Sequence, residues 1–200
     1  MKLYEFATSG NCYKIRLAMG NLGKSYTREA VSRDGGTKTP DFLKLSPTGV
    51  VPVLEIAPGK VVTESAAILS YLAKGTPLSP EDPYEHAQVI RWLSFEQERV
   101  LSSIAGARFI RKMLNIPKER EAEFKAKQEA GYKALKIMDT HLAKNKFFAG
   151  DRYTIADVAL YGYTHLAGED GAGMDLKPYP NVLAWLERVK AQPGHVTLMQ

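Results

Sequence analysis

Phe42-Leu43-Lys44-Leu45-Ser46-Pro47-Thr48-Gly49-Val50-Val51-Pro52-Val53-Leu54 is the stretch whose reading decides the fold. Its first residues close a short helix around Pro40–Leu45, and Ser46–Gly49 are turn formers. Val50-Val51-Pro52-Val53-Leu54-Glu55-Ile56 is β-rich but carries a proline, which cannot donate to a strand ladder. Two solutions stand open. Pro52 is trans on an edge strand, or the Val51–Pro52 peptide is cis. A cis bond would leave the N–H and C=O of Val51 free to pair with an extended peptide. Pro58-Gly59 then marks a tight turn, and Lys60-Val61-Val62 a returning strand. A helix over Glu64–Ala73 follows, with Ala67, Ile68, Tyr71 and Leu72 expected on its inner side.

Upstream, Lys2–Phe6 alternates apolar and polar as a strand and ends at the Thr8-Ser9-Gly10-Asn11 turn. Ile15, Ala18, Met19 and Leu22 repeat at helical spacing until Gly23, and Tyr26–Val31 reads as a second strand. Residues 1–75 therefore run βαβ, α, ββα. Residues 76–83, with three prolines, form a linker. Residues 84–200 read as helices: Tyr84 to about Leu114 with a bend at Gly106, Pro117 to about Lys144, Thr154–Leu166 and Pro180–Ala191. Thr154-Ile155-Ala156-Asp157 resembles a capping box, with Tyr153 and Val158 at the staple positions. Its role is structural.

Composition narrows the function. The 200 residues are 44% hydrophobic and 24% charged, as in ordinary globular chains. No apolar run approaches the roughly 20 residues of a membrane helix, and residues 1–6 carry no leader pattern, so a cytoplasmic location is the default expectation. The one cysteine, Cys12, excludes an internal disulfide framework and a multi-cysteine metal site. Residues 1–75 hold ten Lys/Arg against six Asp/Glu, a surplus that suits a small anionic ligand and equally a solvated surface. Without basic runs interleaved with aromatics, nucleic-acid binding is not expected.

Two helix starts can hold an anion. At Thr8-Ser9-Gly10-Asn11-Cys12, the free N–H groups and dipole of the following helix favour negative charge, and Ser9 and Asn11 can add hydrogen bonds. Capping alone also explains them. At Thr63-Glu64-Ser65, Ser65 offers a hydroxyl and N–H to a carboxylate, and Glu64 can accept from an ammonium. Together they suit an α-amino acid head group, and again capping is the simpler use.

These signals fall in one order. Phe42–Leu54, then Glu64-Ser65-Ala66-Ala67-Ile68, then Phe148-Ala149-Gly150-Asp151 with Thr154-Ile155-Ala156-Asp157, resemble the soluble glutathione transferase superfamily over nearly the whole chain. The most specific piece is Pro-x-Gly-x-Val-Pro-x-Leu joined to Glu-Ser-x-Ala-Ile. The resemblance, to a bacterial serine-type or related class, implies an α/β thioredoxin-like N-terminal domain over 1–75 and an all-α helical bundle domain over 84–200. It implies that Ser9 hydrogen-bonds the glutathione sulfur, with Asn11 beside it as a second catalytic group. It further implies that Val51 pairs its backbone with the cysteinyl unit, that Pro52 is cis, and that Glu64 and Ser65 hold the γ-glutamyl group. Lys38 would reach the glycyl carboxylate. The partners implied are glutathione as co-substrate, a hydrophobic electrophilic small molecule and a second copy in a homodimer. No metal or resident cofactor is expected, and the role is detoxification. Phe95, Arg99, Arg108, Phe109 and Arg111 are the expected liners of an electrophile pocket between the domains.

Departures from the family pattern bear on mechanism. Ser46 stands where an Asn is usual. Tyr4 precedes Phe6 inside the first strand and is not chosen as the catalytic tyrosine. Ser9 followed by Asn11 also matches members that act on glutathione disulfides, so reduction on the same site is an alternative. A non-catalytic interaction protein on this fold is a third. Ser9-Gly10-Asn11-Cys12 resembles a Cys-x-x-Cys motif lacking its first cysteine, which excludes a dithiol mechanism within one chain. Cys12 is then a small buried packing residue or a lone redox thiol.

Overall fold

The computed structural model describes residues 1–200 and divides into two compact units, Met1–Thr76 with Gln192–Gln200, and Pro77–Ala191. The first unit holds β1 (Lys2–Glu5), α1 (Gly10–Asn21), β2 (Thr27–Ala30), α2 (Pro40–Leu45), β3 (Val53–Ala57), β4 (Lys60–Thr63) and α3 (Ser65–Ala73). The sheet order is β2-β1-β3-β4. β1 and β2 are parallel across the α1 crossover, while β3 is antiparallel to β1 and to β4. The mixed sheet with its packed helices is the expected thioredoxin-like fold.

β3 starts three residues later than the β-rich run at Val50, because the chain first passes through the Val51–Pro52 bond, which is cis. α3 buries Ser65, Ile68, Leu69, Leu72 and Ala73, a stripe at i, i+3, i+4, i+7, i+8 spacing. Ala67 and Tyr71, expected on the inner side, are exposed. The stripe begins at Ser65, and those two residues fall on its opposite face.

α1 is buried along most of its length, including Lys14 and Arg16. Arg16 is neutralised by Glu5 of β1, which also pairs with Arg28 of β2. Its guanidinium further donates to the Ala7 carbonyl at 3.0 Å and to the Leu198 carbonyl. The last nine residues, read from sequence as part of the helical domain, thus belong to the N-terminal unit. They lie along α1. Tyr13 Oη donates to the Val196 carbonyl at 2.8 Å, and Asn21 Nδ2 to the Pro193 carbonyl at 2.7 Å. Gly194 (φ +69°) approaches Gly20 so closely that a Cβ on Gly194 would stand 2.1 Å from the Gly20 carbonyl oxygen.

The second unit is helical: α4 (Pro83–Phe95), α5 (Gly106–Met113), α6 (Glu121–Leu142), α7 (Ile155–Thr164) and α8 (Pro180–Lys190). α4 and α5 join through a π-helical segment, Glu96–Ala105. The irregularity expected at Gly106 therefore lies before it, and Gly106 itself has ordinary helical dihedrals (φ −62°, ψ −47°). Every residue of α7 is buried. Its capping box is formed as the sequence predicts, and Asp157 does more than cap. It accepts from Thr154 N at 3.0 Å, Phe148 N at 3.1 Å and Trp185 Nε1 at 2.9 Å. Trp92, Phe148, Tyr161 and Trp185 pack edge to face or tilted around this point. No helix is long and apolar enough to cross a membrane.

Candidate active site

Strand register brings the predicted residues together. Tyr4 pairs with Val53, and Val53 with Thr63. The chain leaves β1 toward Ser9, enters β3 through Val51–Pro52, and leaves β4 into Glu64–Ser65. Since β3 runs against both neighbours, all three segments meet at one end of the sheet. Phe6 and Tyr4 pack on a buried cluster of Cys12, Phe42, Val51 and Val53, which ties the start of α1 to the proline loop.

Ser9 is the N-cap of α1, in extended conformation. Its Oγ accepts from Cys12 N at 3.4 Å, a long bond, while its own N–H is held by the Phe6 carbonyl at 3.0 Å. A hydroxyl at a helix start can accept from the backbone and still turn its proton toward a sulfur or another acceptor. Asn11 accepts the Lys14 ammonium on Oδ1 at 2.8 Å. An ammonium can only donate, so the carboxamide oxygen is the atom turned to Lys14 and the NH2 is the atom able to donate elsewhere.

The β3 ladder begins at Val53, so the backbone groups of Val51 lie outside it. The turn before it is pinned by Ser46, the residue that departs from the family's Asn. Its Oγ donates to the Val50 carbonyl at 3.0 Å and accepts from Val50 N at 3.3 Å. A serine does the turn-holding that the position needs. Lys38 Nζ donates to the Gly49 carbonyl at 3.2 Å, which brings its charge to the same loop.

Glu64 precedes α3 with φ +67° and ψ 120°, and its side chain makes no capping bond. A left-handed φ at a non-glycine residue costs on the order of 1–3 kcal/mol and gathers at ligand sites. Ser65, the first residue of α3, is buried.

Two groups are unsuited to activation chemistry. Burial pushes the Cys12 thiol up to about 11, despite hydrogen bonds from Ser9 and near Phe6 that act the other way. The helix start therefore does not make Cys12 a thiolate. Tyr4 donates to Glu55 Oε2 at 3.1 Å, and burial with that bond raises its phenol above the usual range.

Sequence reasoning missed Arg33, in the loop after β2. Its Nη2 donates to Thr8 Oγ1 at 2.6 Å, and its guanidinium stands 4.5 Å over the Phe6 ring. No local motif marks it, because its partners lie 25 or more residues earlier.

The five residues expected to line an electrophile pocket have separate surroundings within the helical unit. Phe95 stacks edge-on to Trp92 at 5.1 Å, and Phe109 is 48% exposed. Arg99 is exposed and pairs with Glu98 at 3.1 Å; Arg108 is half-buried. Arg111 is turned to the loop after α7, donating to the Glu169 carbonyl and, at 3.3 Å, to that of Gly171. That guanidinium anchors a loop.

A thioredoxin-like unit carrying a cis-proline, followed by an all-helical unit, is the architecture of the soluble glutathione transferases. The profile of the glutathione S-transferase N-terminal domain matches residues 8–74, and that of the C-terminal domain residues 98–193. The chain is 42% identical to a glutathione S-transferase from Pseudomonas fluorescens [Pf-5], with a TM-score of 0.96 over 100% of this chain and 98% of that one. A possible glutathione S-transferase from Rhodopseudomonas palustris is also 42% identical, at TM-score 0.92 over 100% and 90%. Glutathione S-transferase 3 of Zea mays is 32% identical over 97% of this chain and 90% of its own. The chain belongs to the glutathione S-transferase family.

Proposed function

We propose that the protein binds glutathione at the end of its sheet, ionises the thiol against Ser9, and transfers the glutathionyl group to an electrophilic small molecule. The observation that carries this reading is the meeting of Ser9, Val51 and Glu64–Ser65 at one sheet end. In the proposed complex the cysteinyl unit pairs as an added strand with the backbone of Val51, beside the cis Pro52. The N–H and hydroxyl of Ser65 take the γ-glutamyl carboxylate at the start of α3, and Glu64 takes the ammonium. The unusual φ of Glu64 supports this role. Lys38 is the group for the glycyl carboxylate, at the loop it already touches.

The Ser9 hydroxyl donates to the sulfur, and the α1 dipole adds to the field. The thiol proton leaves to solvent, the thiolate attacks the electrophile, and a carbon–sulfur bond forms as the leaving group departs with its electron pair. Ser9 stays a donor throughout. By likeness to the family the hydrophobic acceptor falls to the helical unit, whose exposed Phe109 is the candidate apolar contact. A homodimer in the cytoplasm with a detoxifying role completes the proposal, by likeness to the family. Reduction of glutathione disulfides is the second reading, favoured by the amide NH2 of Asn11 close to Ser9.

Calorimetric titration with reduced and oxidised glutathione tests both. Millimolar or tighter binding of the reduced form supports the transferase reading, and clearly tighter binding of the oxidised form favours disulfide reduction. If neither binds, the enzyme reading falls and the non-catalytic interaction protein takes its place.

A further inference from the structure

Arg33 is exposed, yet it is not a wandering surface charge. Its guanidinium is held at two points, on the Thr8 hydroxyl at 2.6 Å and over the Phe6 ring at 4.5 Å. Both points lie within the Phe6–Ser9 turn, which the Ser9 N–H closes on the Phe6 carbonyl. It is in no ion pair. The other charges around the turn are accounted for. Glu5 is paired with Arg16 and Arg28, Lys14 rests on Asn11, Lys38 rests on the Gly49 carbonyl, and Cys12 is a neutral thiol at working pH. Asp34, its neighbour in sequence, is exposed and makes no ion pair with it.

We propose that Arg33 is an electrostatic positioning residue of the glutathione site, holding a fixed positive charge beside the sulfur that Ser9 receives. This rests on the reading of Ser9 given above. A guanidinium is planar, so a ring face and a hydroxyl together fix its orientation as well as its place. A cation oriented before the reaction stabilises a developing anion without reorganising. An opposite charge nearby favours the ionised form of a thiol. Because Arg33 is exposed, salt screens the effect.

The test titrates the ultraviolet thiolate band of glutathione bound to the wild type, Arg33→Ala, Arg33→Lys and Thr8→Val. It also follows kcat/KM toward an activated aryl halide across pH, at low and high salt. Arg33→Ala is expected to lower kcat/KM about three- to tenfold at neutral pH, the range for removing one screened cation. The deficit should vanish at alkaline pH, where the bound thiol is ionised without help, and shrink in high salt. Arg33→Lys should restore most of the loss. Thr8→Val, which keeps the charge but frees it, should fall between.

An Arg33→Ala enzyme with an unchanged pH profile overturns the proposal. So does a loss that is equal at every pH and indifferent to salt, since that is the mark of a packing role. A wild type that fails to bind glutathione overturns the parent reading and this one with it. A wild type that binds and ionises glutathione beside an unaltered Arg33→Ala overturns this one alone.

Discussion

At the scale of single residues, the helix start separates two side chains three positions apart. Ser9 has a loosely held hydroxyl, while Cys12 is wholly buried with its thiol pushed up to about 11. If Ser9 binds the sulfur, its removal should be felt as lost thiolate. A thiol of ordinary pKa near 8.5, lowered by about two units, reflects roughly 2.7 kcal/mol of preference for the anion. A hydrogen bond to a charged group contributes about 1.5–3 kcal/mol of that, and a helix end about 0.3–1. Ser9→Ala should therefore raise the bound thiol's pKa by about one to two units and cut kcat/KM about 10- to 100-fold at neutral pH. A pH–rate profile reads both quantities. Cys12→Ala should leave that profile in place, and native Cys12 should resist alkylation at neutral pH until the protein is unfolded. Fast labelling of the native protein would overturn the packing assignment. Ser9 was legible in the sequence because a helix start after a strand writes its own pattern. Arg33 was not, because its meaning comes from Phe6 and Thr8, brought to it by the fold.

Between elements, the informative junction is α1 with the segment Gln192–Gln200. Gly194 is there for two reasons that act together. Its φ of +69° disfavours a side chain, and a Cβ would meet the Gly20 carbonyl oxygen at 2.1 Å. The left-handed conformation alone costs about 1–2 kcal/mol for a residue with a Cβ, and relief of the clash requires the segment to lift. Gly194→Ala is expected to destabilise the protein by about 2 kcal/mol or more in urea denaturation, whereas Gly23→Ala, equally left-handed with open space around it, should cost only the conformational part. Equal losses for the two would show that the close approach has no weight. The segment's place was hidden from sequence reasoning because nothing in Pro193–Gln200 repeats at a helical or strand period. Its ties are scattered hydrogen bonds to Tyr13, Arg16, Asn21 and Arg28, and buried Arg16 looks in sequence like a surface charge. By contrast, the cis-proline loop and α3 were legible. Proline in a β-rich run and a Glu-Ser helix start are local signatures, and only the inner face of α3 shifted, by the choice of which residue began the stripe.

For the molecule as a whole, two groups in the helical unit, half-buried His141 and fully buried Asp157, pull the response of stability to acid in opposite directions. Burial lowers the pKa of His141, which lies against Trp92 and Phe148, so the fold disfavours its charged form. The unfolded chain takes that proton first, and stability falls as pH drops below about 6.5. Asp157 behaves in the reverse sense. Burial outweighs its hydrogen bonds from Trp185, Thr154 and Phe148 and pushes its carboxyl from 3.8 up to about 6. A group with a raised folded pKa binds its proton more readily in the fold. Its contribution is present below pH 3.8 and is lost as pH rises through about 6. Asp157→Asn removes this titration and keeps one acceptor oxygen, which can serve either Phe148 N and Trp185 Nε1 or Thr154 N but not both sides, a loss that is the same at every pH. The stability difference, wild type minus Asp157→Asn, should therefore grow as pH falls from 7 toward 4. Denaturation midpoints measured at several pH values decide the sign. A difference that shrinks with acid would mean that the carboxylate is the form the fold prefers, and that the three donors around Asp157 outweigh its burial.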